Sequence, residues 1–224
     1  MTFSNEWDEL YKQSAHLSIW PWSDVVSLVM RNCRQDFSSN FRVLELGCGA
    51  GANIPFFLSI KLKYYAIEGS PNIVETLKRN YPEIKDNIVV GDFTKTFPFE
   101  GKFDLILDRA AVTCNSAESI KSTMNNIRIF LKPGGKFIGV DWYSVENTEF
   151  RIGEQIDDPY TRIFKEKGEF INTGRVHFFD KNHLESFYEG FRIVNLVHKT
   201  NQYYIQNNSG YRFCSWNVVA EKLS

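Results

Sequence analysis

Short apolar runs alternate along the chain with longer segments in which apolar residues recur at helical spacing. This alternation is typical of a parallel sheet whose strands are joined by helices. Ser70 followed by Pro71 marks a helix start, and the apolar positions of residues 118–131 lie on one helical face. The predicted strands cover residues 41–46, 64–67, 88–90, 103–107 and 136–142, and the predicted helices cover residues 52–60, 71–80 and 118–131.

The pattern changes after residue 142. Residues 143–178 are polar, charged and aromatic without a clear strand, and this length predicts a cap over a substrate rather than a linker. A helix at 181–188 precedes two strand-like stretches, which we expect to pair antiparallel at a sheet edge because no helical pattern separates them. We expect one domain with an N-terminal lid (1–40), a core (41–142), a cap insertion (143–178) and a C-terminal part (179–224) that holds the strand-like stretches 191–198 and 212–221.

Composition and charge exclude several classes of protein. The 224 residues are 43% hydrophobic and 24% charged, which argues against a disordered or fibrous chain. The 26 basic and 27 acidic residues leave a net charge of -1, so no global field would recruit nucleic acid or an anionic membrane. The N-terminal residues lack the apolar core of a signal peptide, and no uncharged apolar run approaches the roughly 18 residues of a spanning helix. We therefore expect a cytoplasmic protein with neither nucleic-acid nor membrane partners.

The cysteines do not form a metal-binding pattern. Cys33, Cys48, Cys114 and Cys214 lie far apart and lack the close pairs that structural zinc sites use. Residues 157–158 are both aspartate, but no matched set of acids and amides accompanies them, so we interpret them as a turn. We expect reduced thiols and no metal.

A glycine-rich loop at residues 47–51 follows the first strand and precedes a helix. Its backbone can approach a ligand closely because no Cβ atoms intervene. The loop alone is ambiguous, since Gly47, Gly49 and Ala52 also satisfy the dinucleotide fingerprint, and Glu68 stands near the position of a ribose-binding acid. A NAD-dependent oxidoreductase is therefore one alternative.

Acidic residues next to this loop point to another ligand. Glu45, two residues before the first glycine, would repel a pyrophosphate and favours a cationic or neutral ligand. Glu68 ends the second predicted strand, where its carboxylate can accept hydrogen bonds from both hydroxyls of a ribose. Asp92 and Phe93 follow the third strand and offer an acceptor for an adenine amine beside a ring that can stack on the base.

Together with the turn at 131–135 and the expected antiparallel edge, these residues resemble the class I S-adenosylmethionine-dependent methyltransferases over roughly residues 43–140. The resemblance implies an α/β, Rossmann-like fold with a seven-stranded, mostly parallel sheet, helices on both faces and an antiparallel last strand. It implies S-adenosylmethionine as cofactor and S-adenosylhomocysteine as product. The residues that it assigns to the cofactor are Glu45, Gly47, Gly49 and Gly51 at the methionine end, Glu68 at the ribose, and Asp92 and Phe93 at the adenine, with Cys48, Gly69 and Asp108 beside them.

The N-terminal segment is rich in aromatic residues. We expect Tyr11 and Trp20 to close over the cofactor, where a ring face near a sulfonium contributes on the order of 1 kcal/mol. We interpret Trp7 and Trp22 as rings that pack this lid on the sheet.

Candidate acceptor residues follow the fourth and fifth strands. Ligands of open α/β sheets lie outside the carboxyl ends of the strands, so Asp108, Arg109 and residues 141–143 should face the acceptor. Arg109 is suited to hold a phosphate or carboxylate, or else pairs with Asp108. A hydroxyl acceptor needs a general base, for which His177 in the cap is the first candidate and Asp108 the second.

The leading functional hypothesis is methyl transfer to oxygen or nitrogen of a small polar acceptor such as a sugar, a nucleotide-sugar or a phosphorylated metabolite. Residues 18–24 and 108–109 look similar to those of methyltransferases from bacterial surface-polysaccharide clusters. The alternatives are a protein or RNA methyltransferase, a NAD-dependent oxidoreductase, and a catalytically silent module that binds the cofactor. We expect a monomer or a homodimer.

Overall fold

A computed structural model describes residues 18–204 and 210–223. Ten strands occur in this part of the chain, and they form one large sheet and one small one. The strands are β1 (Arg42–Leu46), β2 (Lys63–Glu68), β3 (Ile88–Val90), β4 (Phe103–Arg109), β5 (Leu131–Tyr143), β6 (Glu154–Gln155), β7 (Thr161–Ile163), β8 (Arg175–His177), β9 (Phe191–Gln202) and β10 (Arg212–Lys222).

The large sheet has seven strands in the order β3-β2-β1-β4-β5-β10-β9. Strands β1 to β5 run parallel, whereas β10 is antiparallel to both of its neighbours, β5 and β9. The α/β class, the mostly parallel seven-stranded sheet and the antiparallel last strand are confirmed. The central strands are recognisable in the sequence because both of their faces are buried, which requires nearly continuous apolar runs.

Helices cover both faces of the large sheet. Residues of the first three helices share a core with one sheet face, and residues of the fourth and sixth share a core with the other. Side-chain caps mark two of the helix starts: the Ser70 hydroxyl accepts a hydrogen bond from the amide of Ile73, and the Ser116 hydroxyl accepts one from the amide of Ser119. The helices are α1 (Ser23–Cys33), α2 (Ile54–Ser59), α3 (Pro71–Asn80), α4 (Ala117–Phe130), α5 (Thr148–Ile152) and α6 (Lys181–Glu185).

None of the helices in residues 18–204 and 210–223 combines the length and the apolar character that crossing a membrane requires.

The insertion between β5 and α6 is ordered around a small core of its own. It contains α5 and the antiparallel sheet β6-β7-β8, and Phe164, Phe170 and Phe178 are buried in its core. The expectation that this segment lacks strands is corrected here. Its strands are only two or three residues long, too short to produce a recognisable alternation of apolar and polar positions.

Gly51 is fixed by packing rather than by contact with the cavity described below. Its φ angle is +81°, and a Cβ atom placed on it would lie 2.6 Å from Leu77 Cδ2 and 2.8 Å from Ile54 Cδ1. Substitution at this position would therefore act on the contact between the glycine loop, α2 and α3.

We predict that Gly51→Ala lowers the free energy of unfolding by about 2–4 kcal/mol, because the left-handed backbone and the steric overlap both oppose a side chain. Gly134→Ala is the matched control, since Gly134 has a φ of +72° but no atom within 4 Å of its added Cβ. Urea denaturation should show a smaller loss of about 1 kcal/mol for the control. Equal losses in the two variants would contradict the packing role.

Candidate functional site

One cavity lies at the edge where the carboxyl ends of the parallel strands meet. It has a volume of about 340 Å³ and is lined by the glycine loop, by residues that follow β2, β3 and β4, and by the end of β5. The insertion contributes Glu169, Phe170 and Thr173 on the opposite side. This size and this position at the strand ends are typical of small-molecule sites in open α/β sheets.

The glycine loop forms the floor of the cavity. Gly47, Gly49 and Gly51 all have positive φ angles, and Gly47 and Gly49 line the cavity. A Cβ atom on Gly47 would lie 2.4 Å from the Cβ of Ala111, so the loop approaches the turn after β4 as closely as only glycine allows.

Glu45 lies beneath the loop and is almost fully buried. Its Oε1 accepts a hydrogen bond from Asn53 Nδ2 at 2.8 Å, and its Oε2 accepts one from Tyr64 Oη at 2.6 Å. Burial raises the pKa of the Glu45 carboxyl to about 7, although these two hydrogen bonds act in the opposite direction. A cation bound beside it would favour the ionised carboxylate.

Glu68 connects the glycine loop to the start of α3. Its Oε2 accepts a hydrogen bond from the amide of Gly49 at 2.9 Å, and its Oε1 accepts one from the amide of Ser70 at 3.0 Å. Glu68 and the neighbouring Gly69 both line the cavity, as the ribose assignment requires.

Asp92 and Phe93 line the cavity after β3. The Oδ1 of Asp92 accepts hydrogen bonds from the Thr94 amide at 3.0 Å and from the Thr94 hydroxyl at 2.6 Å. These contacts hold the Asp92 carboxylate next to Phe93. The sequence predicts such a pair for adenine binding: an acceptor for the amine and a ring that stacks on the base.

Arg109, at the end of β4, faces the other half of the cavity. Its guanidinium lies 3.7 Å from the ring centroid of Trp22, and its Nη2 donates a hydrogen bond to Asp141 Oδ2 at 3.2 Å. Asp141 Oδ1 also accepts hydrogen bonds from Lys199 Nζ and from the Ser215 hydroxyl, each at 2.9 Å. The position of Arg109 thus depends on β5, β9, β10 and the residue before α1.

The insertion and β5 close this half of the cavity. Tyr143, the last residue of β5, packs against Phe170 of the insertion with ring centroids 4.6 Å apart, and both residues line the cavity. Glu169 and Thr173, which flank Phe170 in the insertion, also line the cavity. The prediction that residues 143–178 cover an acceptor is consistent with this placement.

The structure places Asp108 outside the cavity lining. It is fully buried; Oδ1 accepts hydrogen bonds from the amides of Ala111 and Val112, and Oδ2 accepts one from Trp142 Nε1 at 2.7 Å. Burial raises its pKa to about 7. Its three donors assign Asp108 to holding the turn after β4 against β5, which corrects the expectation that it contacts cofactor or acceptor.

His177 also lies away from the cavity lining, and its side chain has no exposed surface. Its Nδ1 is 2.8 Å from Thr161 Oγ1, and its Nε2 is 2.8 Å from Nε2 of His183. Because both ring nitrogens already have partners within the insertion and α6, no nitrogen is left to accept a proton from an acceptor in the cavity. The expectation of His177 as the general base is corrected accordingly.

Two other predicted cofactor residues, Trp20 and Gly51, do not line the cavity. The side chain of Trp20 is 76% exposed, and Trp22, interpreted from the sequence as a packing residue, lines the cavity instead. Gly51 contacts α2 and α3, as described above. Tyr11 lies outside the described residues, so its placement over the cofactor stays a prediction.

Several lining residues were missed or interpreted otherwise in the sequence. Asn53 has no recognisable motif, because its role depends on two hydrogen bonds between distant segments: it donates to Glu45 and accepts from the amide of Trp22 at 3.2 Å. Phe170 and Thr173 belong to an insertion without a periodic pattern. Cys48 lines the cavity as a buried thiol and Cys114 as a half-buried one, and desolvation raises the pKa of Cys114 to about 12.

Within residues 18–204 and 210–223, no cluster of three or more histidine, cysteine, aspartate or glutamate side chains is arranged to bind a metal ion.

Residues 43–135 match the family model of a methyltransferase domain. The protein-L-isoaspartate O-methyltransferase of Pyrococcus horikoshii is 36% identical over 107 residues, which are 46% of this chain and 45% of the relative. The chain spans about half the length, or less, of the curated relatives it matches.

Solved structures share the fold over most of the chain. An S-adenosylmethionine-dependent methyltransferase from Clostridium acetobutylicum has a TM-score of 0.64 at 17% identity, with 97% of this chain and 96% of that chain covered. The 1,6-didemethyltoxoflavin-N1-methyltransferase of Burkholderia thailandensis, solved with its substrate and S-adenosylhomocysteine, has a TM-score of 0.60 at 14% identity, with 90% and 78% covered. These structural matches confirm the fold, and the methyltransferase-domain model matches residues 43–135, nearly the segment whose sequence resembles that family.

We predict that Asp108→Ala lowers the free energy of unfolding by about 3–5 kcal/mol, because three buried donors lose their acceptor. Asp108→Asn should lower the free energy of unfolding by less than Asp108→Ala, because its carbonyl oxygen still accepts from the two backbone amides. Some loss remains, because its amide group places a donor opposite the donor Trp142 Nε1. Asp86→Asn, at an exposed position, is the control and should change stability by less than about 0.5 kcal/mol. Wild-type stability of Asp108→Ala in chemical denaturation would contradict the structural role.

We predict that the His177 and His183 pair makes the protein sensitive to acid. Burial lowers the pKa of His177 in the folded protein to about 4, whereas its ordinary value is 6.5. The unfolded chain therefore binds more protons between these values, and stability, complete above about pH 6.5, falls as the pH decreases towards 4.

The free energy of unfolding at about pH 5 should be lower than at neutral pH by on the order of 1–2 kcal/mol. His177→Gln should show a flatter dependence of unfolding free energy on pH than the wild type, whereas Asn182→Gln, on the exposed surface of α6, should keep the wild-type slope. Identical slopes for His177→Gln and the wild type would show that this histidine does not titrate between the two states.

Proposed function

We propose that this chain, which carries a class I S-adenosylmethionine-dependent methyltransferase domain, transfers a methyl group from that cofactor to a small polar acceptor such as a sugar, a nucleotide-sugar or a phosphorylated metabolite. The observation that carries the proposal is the convergence of the glycine loop, Glu68 and Asp92 on one end of a cavity whose other end is lined by Arg109 and Tyr143.

The residues present fit S-adenosylmethionine. The half of the cavity formed by the glycine loop, β2 and β3 contains Glu45, Glu68 and Asp92 and no cationic side chain among the described lining residues. Three carboxylates suit a ligand with a positive charge, ribose hydroxyls and an amine, and they would repel the pyrophosphate of a dinucleotide. When bound, S-adenosylmethionine supplies a methyl group activated on a sulfonium centre.

Different residues of this chain would bind different parts of the cofactor. Glu68 would accept hydrogen bonds from the ribose hydroxyls, Asp92 and Phe93 would hold the adenine, and Glu45 would face the methionine end. Arg109, Tyr143 and the insertion would then align the acceptor, and alignment of the reacting atoms at near-contact distance accounts for much of the acceleration in such displacements.

The acceptor half offers little base catalysis. Burial raises the pKa of the Tyr143 hydroxyl well above its ordinary value and that of the Cys114 thiol to about 12, so neither group takes a proton readily near neutrality. Glu169 is exposed and lies on the insertion. This environment favours an acceptor atom that needs no strong base, such as a neutral amine, over an unactivated hydroxyl.

A small acceptor is supported by the closure of the cavity from two sides, by Trp22 and by the insertion residues Phe170 and Thr173. The Burkholderia thailandensis neighbour is named as the N1-methyltransferase of 1,6-didemethyltoxoflavin, which is bound in its structure. The Pyrococcus horikoshii relative is named for a protein acceptor, so protein methylation is the second candidate.

We predict that S-adenosylmethionine and S-adenosylhomocysteine bind to the purified chain in calorimetric titrations and that NAD does not. Glu68→Ala should weaken binding by about 1.5–3 kcal/mol, roughly 10- to 150-fold, because hydrogen bonds to a charged acceptor are lost. Glu83→Ala removes an exposed carboxylate that does not line the cavity; it is the control and should bind as the wild type does.

Binding of NAD in place of S-adenosylhomocysteine would reject the cofactor assignment. Incubation with S-adenosylmethionine labelled in the methyl group, followed by mass spectrometry of small-molecule and protein fractions, separates the two acceptor classes. Cofactor binding without label transfer to either fraction would favour a catalytically silent module.

A further inference from the structure

The charge of the cavity is distributed unevenly. Among the described residues that line it, Arg109 is the only cation; Glu68 and Asp92 lie at the carboxyl ends of β2 and β3, Glu45 lies beneath the glycine loop, and the insertion adds the exposed carboxylate of Glu169. An anionic group on a ligand would be repelled from the glycine loop and attracted to the end of β4. This distribution can orient a small molecule that carries a negative charge.

Arg109 has hydrogen-bonding capacity that the described residues do not use. Its Nη2 donates to Asp141, but its Nε is buried without a hydrogen-bond partner. The Arg109 side chain as a whole is 28% exposed and lines the cavity, so the Nη hydrogens that do not bond Asp141 are the donors that a ligand can reach. The planar guanidinium presents its donors in a fork that matches the two oxygens of a carboxylate or a phosphate.

The residues around Arg109 hold this guanidinium in place. Its plane lies against the Trp22 ring, 3.7 Å from the centroid, and Asp141 fixes one of its ends. Asp141 is shared with Lys199, which also pairs with Asp24, so two cations and two carboxylates form one cluster that is neutral overall. The cluster positions Arg109 but leaves its Nε without an acceptor.

Trp22 connects this cluster to the cofactor end of the cavity. Its backbone amide donates to Asn53 Oδ1, and Asn53 Nδ2 donates to Glu45 Oε1. Trp22, whose ring contacts Arg109, is therefore connected through Asn53 to Glu45 beneath the glycine loop. Trp22 and Asn53 are positioning residues in this arrangement, because they act on the acceptor only through Arg109.

We infer that Arg109 anchors an oxyanion of the acceptor, a carboxylate or a phosphate, and so sets which end of the acceptor faces the cofactor. The inference rests on the proposed function, since it assumes that the half of the cavity around Arg109 receives the acceptor. It narrows the acceptor to molecules in which the methylated atom and an anionic group lie within the length of one small cavity.

The test uses the full chain saturated with S-adenosylhomocysteine and three probes: inorganic phosphate, benzoate and benzamide. Calorimetry measures each affinity, and the arginine Nε resonance that disappears from the NMR spectrum of Arg109→Lys reports contact at this side chain. We expect phosphate, benzoate or both to bind to the wild type and to shift this resonance, and benzamide to bind at least tenfold more weakly.

Arg109→Gln should weaken binding of the anionic probe at least tenfold. Arg109→Lys should recover part of it, since lysine restores the charge but not the fork of donors. Arg192→Gln, which removes an exposed arginine paired with Glu221, is the matched control and should bind the probes as the wild type does. Thermal unfolding and binding of S-adenosylhomocysteine verify that each variant is folded.

Phosphate binding alone would indicate a phosphorylated acceptor, and benzoate binding alone a carboxylate; either result supports the inference. Failure of both anions to shift the Arg109 resonance, equal binding by the wild type and Arg109→Gln, or equal binding of benzamide and benzoate would overturn it. If S-adenosylhomocysteine itself does not bind to the wild type, the proposed function fails rather than this inference.

Discussion

The parallel arrangement of β1 to β5 brings their carboxyl ends to one edge, and several of these ends carry acids that would repel one another. The protein compensates for this mainly with neutral donors. Glu68 accepts from the amides of Gly49 and Ser70, and Asp108 accepts from two backbone amides and from Trp142. The amides of Gly49 and Ser70 hold the Glu68 carboxylate at the cavity, whereas the donors to Asp108 turn its carboxylate away from it.

The end of the cavity around Arg109 is built differently, from charges contributed by distant parts of the chain. Asp141 has a φ of +56° at the end of β5, and its amide donates to Asn217 Oδ1 at 2.9 Å. The pairing of β10 with β5 shifts register between Trp216 and Val218, which places the Asn217 side chain at this amide. The antiparallel insertion of β10 therefore positions Asp141, and Asp141 positions Arg109.

The sequence predicted the elements with strong local signals. The five parallel strands, the Ser70 cap and the antiparallel pair of C-terminal strands follow from burial on both faces, from capping chemistry and from the absence of an intervening helix. The insertion was described only as a cap, because its strands of two or three residues carry no periodicity. Its buried phenylalanines form a core that no local pattern identifies.

At the cavity, too, the sequence predicted the residues with local signals and missed those that depend on tertiary contacts. Glu45, Glu68, Asp92 and the glycines at 47 and 49 were identifiable because each immediately precedes or follows a strand end, and the topology of a parallel sheet carries such positions to one edge. Whether a strand-end acid faces the cavity or the interior is decided by its donors. Asp108 is turned inward by Trp142, which is 34 residues away in sequence.

The sequence by itself thus determined the fold class, the resemblance to a methyltransferase domain and the residues of the glycine loop and of the β2 and β3 ends, since these depend on strand ends and a loop that are local in the chain. Only the tertiary structure decided the half of the cavity around Arg109. Trp22, Arg109, Asp141 and Lys199 come from four separate segments, and their contacts exist only after β9 and β10 have paired beside β5. The position of His177 was decided in the same way, because its pairing with His183 depends on how the insertion packs against α6.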